Sequence, residues 1–251
     1  MRLISRLDIK GNNLIKGVQL EGLRVVGAPE DYARRYYENG VDEILIMDCV
    51  ASLYGRNNAF DLVKKITEYV FVPITLGGGI RTLDDVNLAF DSGADKICLN
   101  TAAIINPDLI AKIAATAGSQ AVVLSVEAKK TGLDTWEVYY NNGREKSGWN
   151  VCDWVETAVG LGAGEVLLTS VDREGTRKGM DIELIRSVGR KLTRPVIVSG
   201  GVGSFEHVVE AAQISFVDAV AIADFLHYGR GSIPQLKSLL SEKLPNVRVN
   251  E

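Results

Sequence analysis

The sequence predicts an α/β fold of one kind, a closed (β/α)8 TIM barrel built from two similar half-barrels, and three observations carry that expectation. The chain repeats at an offset of about 120 residues: GVDEILIMD (40–48) aligns with GAGEVLLTS (162–170), LGGGI (76–80) with SGGVG (199–203), ADKICLN (94–100) with VDAVAIA (217–223), and LDIK (7–10) with VEAK (126–129). Short apolar runs rich in Val, Ile and Leu alternate with amphipathic stretches of helical period, the pattern of parallel strands buried on both faces. Eight such units in 251 residues match the usual size of this barrel, about 250 residues. An open, doubly wound sheet is the alternative, but a duplicated half of four units closes more naturally into a ring.

The units follow in order. Strands are expected near 3–8, 43–48, 72–76 and 95–99, followed respectively by helices near 29–39, 57–69, 82–92 and 106–116. The fourth helix shows the local logic: Asn106 is a good N-cap, Pro107 suits the first helical position, and Leu109, Ile110, Ile113 and Ala117 form one apolar stripe. The second half repeats the scheme with strands near 121–126, 165–170, 195–199 and 218–222, and helices near 150–160, 180–191, 204–213 and 232–242. One segment interrupts it. TGLDTWEVYYNNGREKSG (131–148) is too long for a strand-to-helix loop, alternates in polarity and contains Asn-Asn-Gly, so a β-hairpin is expected after the fifth strand.

Composition limits the function. With 46% hydrophobic and 24% charged residues, the chain reads as one globular domain over 1–251, its halves falling at about 1–120 and 121–251. A net charge of −4 argues against non-specific binding to nucleic acid, which needs a basic surface. No run approaches the ~18 apolar residues of a membrane span, and MRLISRLDIK holds no signal-type apolar stretch, so a soluble, cytoplasmic protein is expected. Cys49, Cys98 and Cys152 are unclustered, which suggests reduced thiols; His207 and His227 stand apart, and neither a metal nor another cofactor is expected.

In such a barrel the chemistry sits where the strands end. Asp8, Asp48, Gly77 to Gly79, Asn100, Thr101, Glu127, Thr169, Ser170, Asp172, Gly200, Gly201 and Asp224 all fall there. Asp8 and Glu127, from strands 1 and 5, face each other across the mouth, and two opposed carboxylates suit acid–base work in which one takes a proton and the other gives one. The plainer reading is that each caps a turn or pairs with Lys10 or Lys129. Backbone N–H groups at the two glycine clusters can hold anions, although Gly-Gly also simply permits a tight turn. Their duplication suggests a long substrate with a phosphate at each end, and Asn100 and Thr101 complete the first site.

The segments LDIKGNNLIKG, ITLGGGIR, GADKICLNTAAIINPDLI, GSQAVV, GAGEVLLTSVDREGT and PVIVSGGVG, spread over the whole chain, closely resemble the cyclase subunit of imidazole glycerol phosphate synthase. A related barrel isomerase of the same pathway shares the glycines and first aspartate, but not the GSQ or LLTS-D motifs. The resemblance implies a barrel that takes ammonia from a glutaminase subunit docked at its N-terminal face. With it the enzyme splits and cyclises a bisphosphorylated ribulosyl aminoimidazole carboxamide nucleotide, giving imidazole glycerol phosphate and aminoimidazole carboxamide ribotide.

Carried over residue by residue, the resemblance makes Asp8 one catalytic acid–base group and puts Glu127 where the family has the second, an aspartate. It matches Lys16 to a lysine of the mobile first loop, Gly79, Asn100 and Thr101 to one phosphate site, and Ser199, Gly200 and Gly201 to the surroundings of the other. Arg2, Glu43, Lys96 and Glu165 match a ring of charges at the ammonia entrance. The sequence adds its own support, since each of these four starts a strand, where an apolar residue is the norm; exposed salt bridges are the plainer reading. Three positions depart from the family: Glu127, Glu174 in place of an aspartate, and Asp224 in place of a phosphate-site serine. A bare carboxylate at 224 would oppose a phosphate by about 4 kcal/mol per unit charge at ~4 Å. These departures raise the alternative of a paralogue that works with a glutaminase and a sugar amidotransferase on surface polysaccharides bearing amidino groups. A catalytically idle scaffold for a glutaminase is the remaining possibility.

Overall fold

The computed structural model describes residues 1–51, 59–189 and 192–244. Its first half runs β1 (Arg2–Lys10), β2 (Asn13–Val18), β3 (Glu21–Gly27), α1 (Pro29–Glu38), β4 (Glu43–Asp48), α2 (Ala59–Ile66), β5 (Ile74–Gly77), α3 (Leu83–Asp91), β6 (Lys96–Leu99), α4 (Thr101–Ile105) and α5 (Asp108–Ala117). The second runs β7 (Val122–Gly132), β8 (Thr135–Tyr140), β9 (Glu145–Asn150), α6 (Val151–Gly160), β10 (Glu165–Ser170), α7 (Ile182–Gly189), β11 (Val196–Ser199), α8 (Phe205–Ala212), β12 (Val217–Ile222), α9 (Asp224–His227) and α10 (Ile233–Lys243). The expected start of the second helix at 57–58 and end of the sixth at 190–191 lie outside the described residues.

Strands β1, β4, β5, β6, β7, β10, β11 and β12 pair in parallel, and β12 returns to β1, which closes the barrel. Alternate side chains of a strand point to opposite faces, so each strand feeds two cores. Ile4, Leu45, Cys98, Val123, Leu167, Ile197, Ala219 and Ala221 fill the bore, with Met47 packed on them. Leu3, Leu7, Ile44, Ile46, Val122, Leu124, Val166 and Leu168 pack outward against the helices, as in Val63 and Ile66 of α2 and Ile110 and Ile113 of α5. Among the described residues, no helix is long and apolar enough to cross a membrane.

The duplication is visible in the backbone. Asn100 (φ −126°, ψ −85°) and Ala223 (φ −123°, ψ −83°) turn alike into the short helices α4 and α9. Asp95 and Asp218 each accept a backbone N–H at the start of the neighbouring strand, from Ile74 at 2.7 Å and Val196 at 2.9 Å. One alignment shifts by a residue: the glycine pair with positive φ is Gly78–Gly79 (92° and 74°) in one half and Gly200–Gly201 (100° and 95°) in the other. Gly78 is obligatory, because a Cβ there would lie 2.2 Å from the Asp48 carbonyl oxygen.

The insert is a hairpin, with Asn141, Asn142 and Gly143 all left-handed at its tip (φ 51°, 60° and 73°). Its first strand pairs antiparallel with the extended end of β7, so the arm has three strands. A second antiparallel hairpin, β2–β3, follows β1 and was not expected from the sequence. The expected Asn106 cap is also corrected. The chain is already helical from Thr101, so Asn106 (φ −139°) ends α4 by donating its N–H to Ala102, and its backbone carbonyl, not its side chain, receives Leu109 at 3.1 Å. The apolar stripe through Leu109, Ile110 and Ile113 is buried as expected.

Candidate active site

The bore is layered because inward side chains recur every second residue. On β1 these are Arg2, Ile4, Arg6 and Asp8: a floor charge, an apolar layer, then two charges beneath the mouth. Arg6 donates from Nε to Asp8 at 2.8 Å and from Nη1 to Thr169 at 3.1 Å and Ser199 at 3.4 Å. Lys16, carried over the mouth by β2, donates to the other Asp8 oxygen at 3.3 Å and also pairs with Glu174. All four charged groups are at most 4% exposed. Two cations and two carboxylates thus neutralise one another in the interior, where an unpaired charge would be costly. Burial by itself pushes the Asp8 carboxyl up, but Arg6 and Lys16 more than reverse this and hold it at about 2.

Glu127 has the opposite environment. It is 6% exposed, accepts a hydrogen bond from the Gly143 N–H at 2.7 Å, and belongs to no ion pair among the described residues. Burial raises its pKa to about 7, against the pull of the Gly143 N–H and Arg6. The lysine pairing of the plainer reading does not hold, since Asp8 pairs with Arg6 and Lys16 rather than Lys10, and Lys129 lies over the Tyr139 ring; Glu127 does cap the hairpin turn through the Gly143 N–H. The two carboxyls therefore differ widely in proton affinity, the arrangement in which one can accept while the other donates.

Both hairpins fold over the strand ends. The Gln19 N–H reaches the Glu174 carbonyl at 2.8 Å, and Asn142 Nδ2 reaches the Leu20 carbonyl at 3.1 Å. Asn100 and Thr101 steady the long arm: Asn100 Nδ2 donates to Tyr139 and Thr101 Oγ1 accepts the Asn141 N–H at 3.1 Å. A cavity of about 180 Å³ remains beside them, lined among others by Arg6, Asp48, Gly78, Gly79, Thr101 and Glu127. The opposite half, around Ser199, Gly200, Gly201, Glu174 and Asp224, retains only about 10 Å³. Asp224 is not a bare charge there. Arg177 grips it through two hydrogen bonds of 2.7 and 3.0 Å, and Arg230 lies at 3.5 Å. Arg177 holds a left-handed backbone (φ 63°) to do so, a conformation that costs a non-glycine residue about 1 kcal/mol or more.

At the floor, the four strand-start charges close into a ring. Arg2 donates to Glu43 at 2.8 Å and to Glu165; Lys96 bonds both Glu43 oxygens at 2.9 and 3.0 Å and Glu165 at 2.9 Å. Glu43 is 2% and Glu165 5% exposed, so these are not exposed surface pairs. Thr75 adds a hydrogen bond to Glu43 at 2.6 Å.

Sequence reasoning missed Arg6, Gly143 and Arg177. Arg6 was within reach, because alternation along β1 puts it on the same face as Arg2 and Asp8. Asn-Asn-Gly marks Gly143 only as a turn residue, and no local pattern marks Arg177; both act across distant chain segments.

A family model described as histidine biosynthesis protein matches residues 2–232. Curated relatives named imidazole glycerol phosphate synthase subunit HisF include one from Legionella pneumophila, 58% identical over 82% of this chain and 97% of its own. Another, from Myxococcus xanthus, is 44% identical over 98% of this chain and 97% of its own; one from Streptococcus gordonii is 41% identical over 99% and 98%. A match this long, together with the closed barrel and its charged mouth and floor, means that the chain belongs to the histidine biosynthesis protein family, in its HisF group.

Proposed function

We propose that this chain is the ammonia-using cyclase subunit of an imidazole glycerol phosphate synthase, a lyase of histidine biosynthesis. The observation that carries the reading is the pair of carboxyls at the mouth, Asp8 held ionised and Glu127 poised at about 7. The family resemblance implies the reaction, in which a bisphosphorylated ribulosyl aminoimidazole carboxamide nucleotide plus ammonia gives imidazole glycerol phosphate and aminoimidazole carboxamide ribotide, and the relatives carry the name of that synthase. Asp8 takes the proton in this scheme and Glu127 gives it. A carboxylate clamped by two cations is a weak base, so Lys16 must withdraw from Asp8 as substrate enters, with β2–β3 serving as the cover.

The phosphates sit at opposite sides of the mouth. Gly79, Asn100 and Thr101 receive one on backbone N–H groups, beside the larger space. Ser199, Gly200 and Gly201 receive the other, with Arg177 released from Asp224 to meet it. Ammonia enters from a glutaminase docked on the N-terminal face, through the ring of Arg2, Glu43, Lys96 and Glu165, and crosses the apolar layer above as the neutral molecule. The shared name of the relatives weighs against the surface-sugar paralogue, and the retained Asp8 and Lys16 weigh against an idle scaffold. Purified protein given an ammonium salt and the bisphosphorylated nucleotide tests the reading through loss of substrate absorbance; no turnover above the uncatalysed rate would overturn it.

A further inference from the structure

Asp8 needs a cation, and Lys16 supplies one; Arg6 is a second cation that this requirement does not explain. It is 3% exposed, directly above the apolar layer of the bore. Two of its three nitrogens are occupied: Nε and Nη1 make three hydrogen bonds to groups on three strands, Asp8, Thr169 and Ser199. The remaining nitrogen, Nη2, makes no hydrogen bond among the described residues. It is not among the wholly buried orphaned atoms of the described residues, which are Ser5 Oγ, Asn100 Oδ1, Trp154 Nε1 and His227 Nε2. The side chain instead lines the 180 Å³ cavity together with Gly78, Gly79, Thr101 and Glu127. A rigidly held guanidinium with an unbonded nitrogen, on a side chain that lines a cavity, is a preorganised donor for a ligand oxygen.

We propose that Arg6 is a substrate-anchoring residue, whose Nη2 edge binds a carbonyl or enediol oxygen of a sugar-phosphate chain held by its phosphate at Gly78–Gly79. This deepens the cyclase reading and rests on it for the identity of the natural substrate, whose ribulosyl chain carries such an oxygen. Charge balance favours it. Arg6 stays matched by Asp8 when Lys16 withdraws, so an oxygen approaching Nη2 meets a neutral ion pair with Glu127 protonated. Arginine is required rather than lysine, because only the planar guanidinium points three nitrogens in fixed directions, two of them held by Asp8 and Thr169 and the third left to donate.

Calorimetry with two probes, ribulose 5-phosphate and inorganic phosphate, tests the proposal on the full chain. Wild type is expected to bind the sugar phosphate more tightly than phosphate. Arg6→Met and Arg6→Lys should each weaken ribulose 5-phosphate about tenfold or more, the worth of a hydrogen bond to a charged group, while phosphate changes less than about twofold. Equal wild-type affinity for the two probes, no change in either variant, or parallel loss of both probes would overturn it. Thermal unfolding of both variants guards against misfolding, and Arg6→Lys, which keeps the charge, preserves the test if Arg6→Met does not fold. Absence of turnover by wild type with the bisphosphorylated nucleotide would instead sink the cyclase reading, and leave the Arg6 contact to be judged on the binding ratio.

Discussion

Replacing Asp8 by asparagine tests the centre of the proposed chemistry. The substitution keeps the shape and removes the charge, so the buried cluster of Arg6, Lys16, Asp8 and Glu174 goes from neutral to +1. A carboxyl held at about 2 instead of the ordinary ~4 contributes about 2–3 kcal/mol to folding. For a chain of this size that is a fall of about 5–10 °C in Tm. The sign with pH follows from the lowered pKa: Asp8 stabilises wild type fully above about pH 4, and this is lost as pH falls towards 2. The stability gap between wild type and variant should therefore be constant from about pH 5 to 8 and narrow below about pH 4. Turnover should fall by a hundredfold or more, the ~10²–10⁴ that a positioned acid or base supplies. Ammonium-dependent turnover, measured well below the variant's Tm and corrected for the folded fraction, separates the two effects. A variant that keeps activity within about threefold, far less than the loss a missing base causes, would refute proton transfer by Asp8 and leave it a clamp for Arg6 and Lys16.

Glu127 should give the pH profile a limb at about 7, with activity falling as pH rises through it because the donor is lost; Glu127→Gln should abolish the limb with most of the turnover, and an unchanged profile would reassign the proton. Lys96→Ala leaves Glu43 and Glu165 sharing Arg2 alone, so glutamine-dependent turnover in the complex should fall while ammonium-dependent turnover persists; equal loss of both would reduce the ring to a structural one. Asp224→Ser releases Arg177 and Arg230 and should tighten bisphosphate binding by about tenfold, whereas Arg177→Met should weaken it; no change in either titration would place the second phosphate elsewhere.

The repeat, the strand runs and the glycines made the barrel legible before any coordinates, because burial on both faces and a duplicated backbone leave their mark on local composition. The matched strand ends of the repeat and the charged strand starts, together with the family resemblance, likewise announced Asp8 and the four floor residues. Sequence could not tell that Lys16 is carried over the mouth on a hairpin and pairs with Glu174, 158 residues away in the chain. Nor could it show that Asp224 is matched by Arg177, or that the Gly143 N–H reaches Glu127 from the far end of an arm. These pairings decide which carboxyl is ionised and which is poised near neutrality, since the proton affinity of a buried acid is set by the charges and donors within a few ångströms of it, whatever their place in the chain.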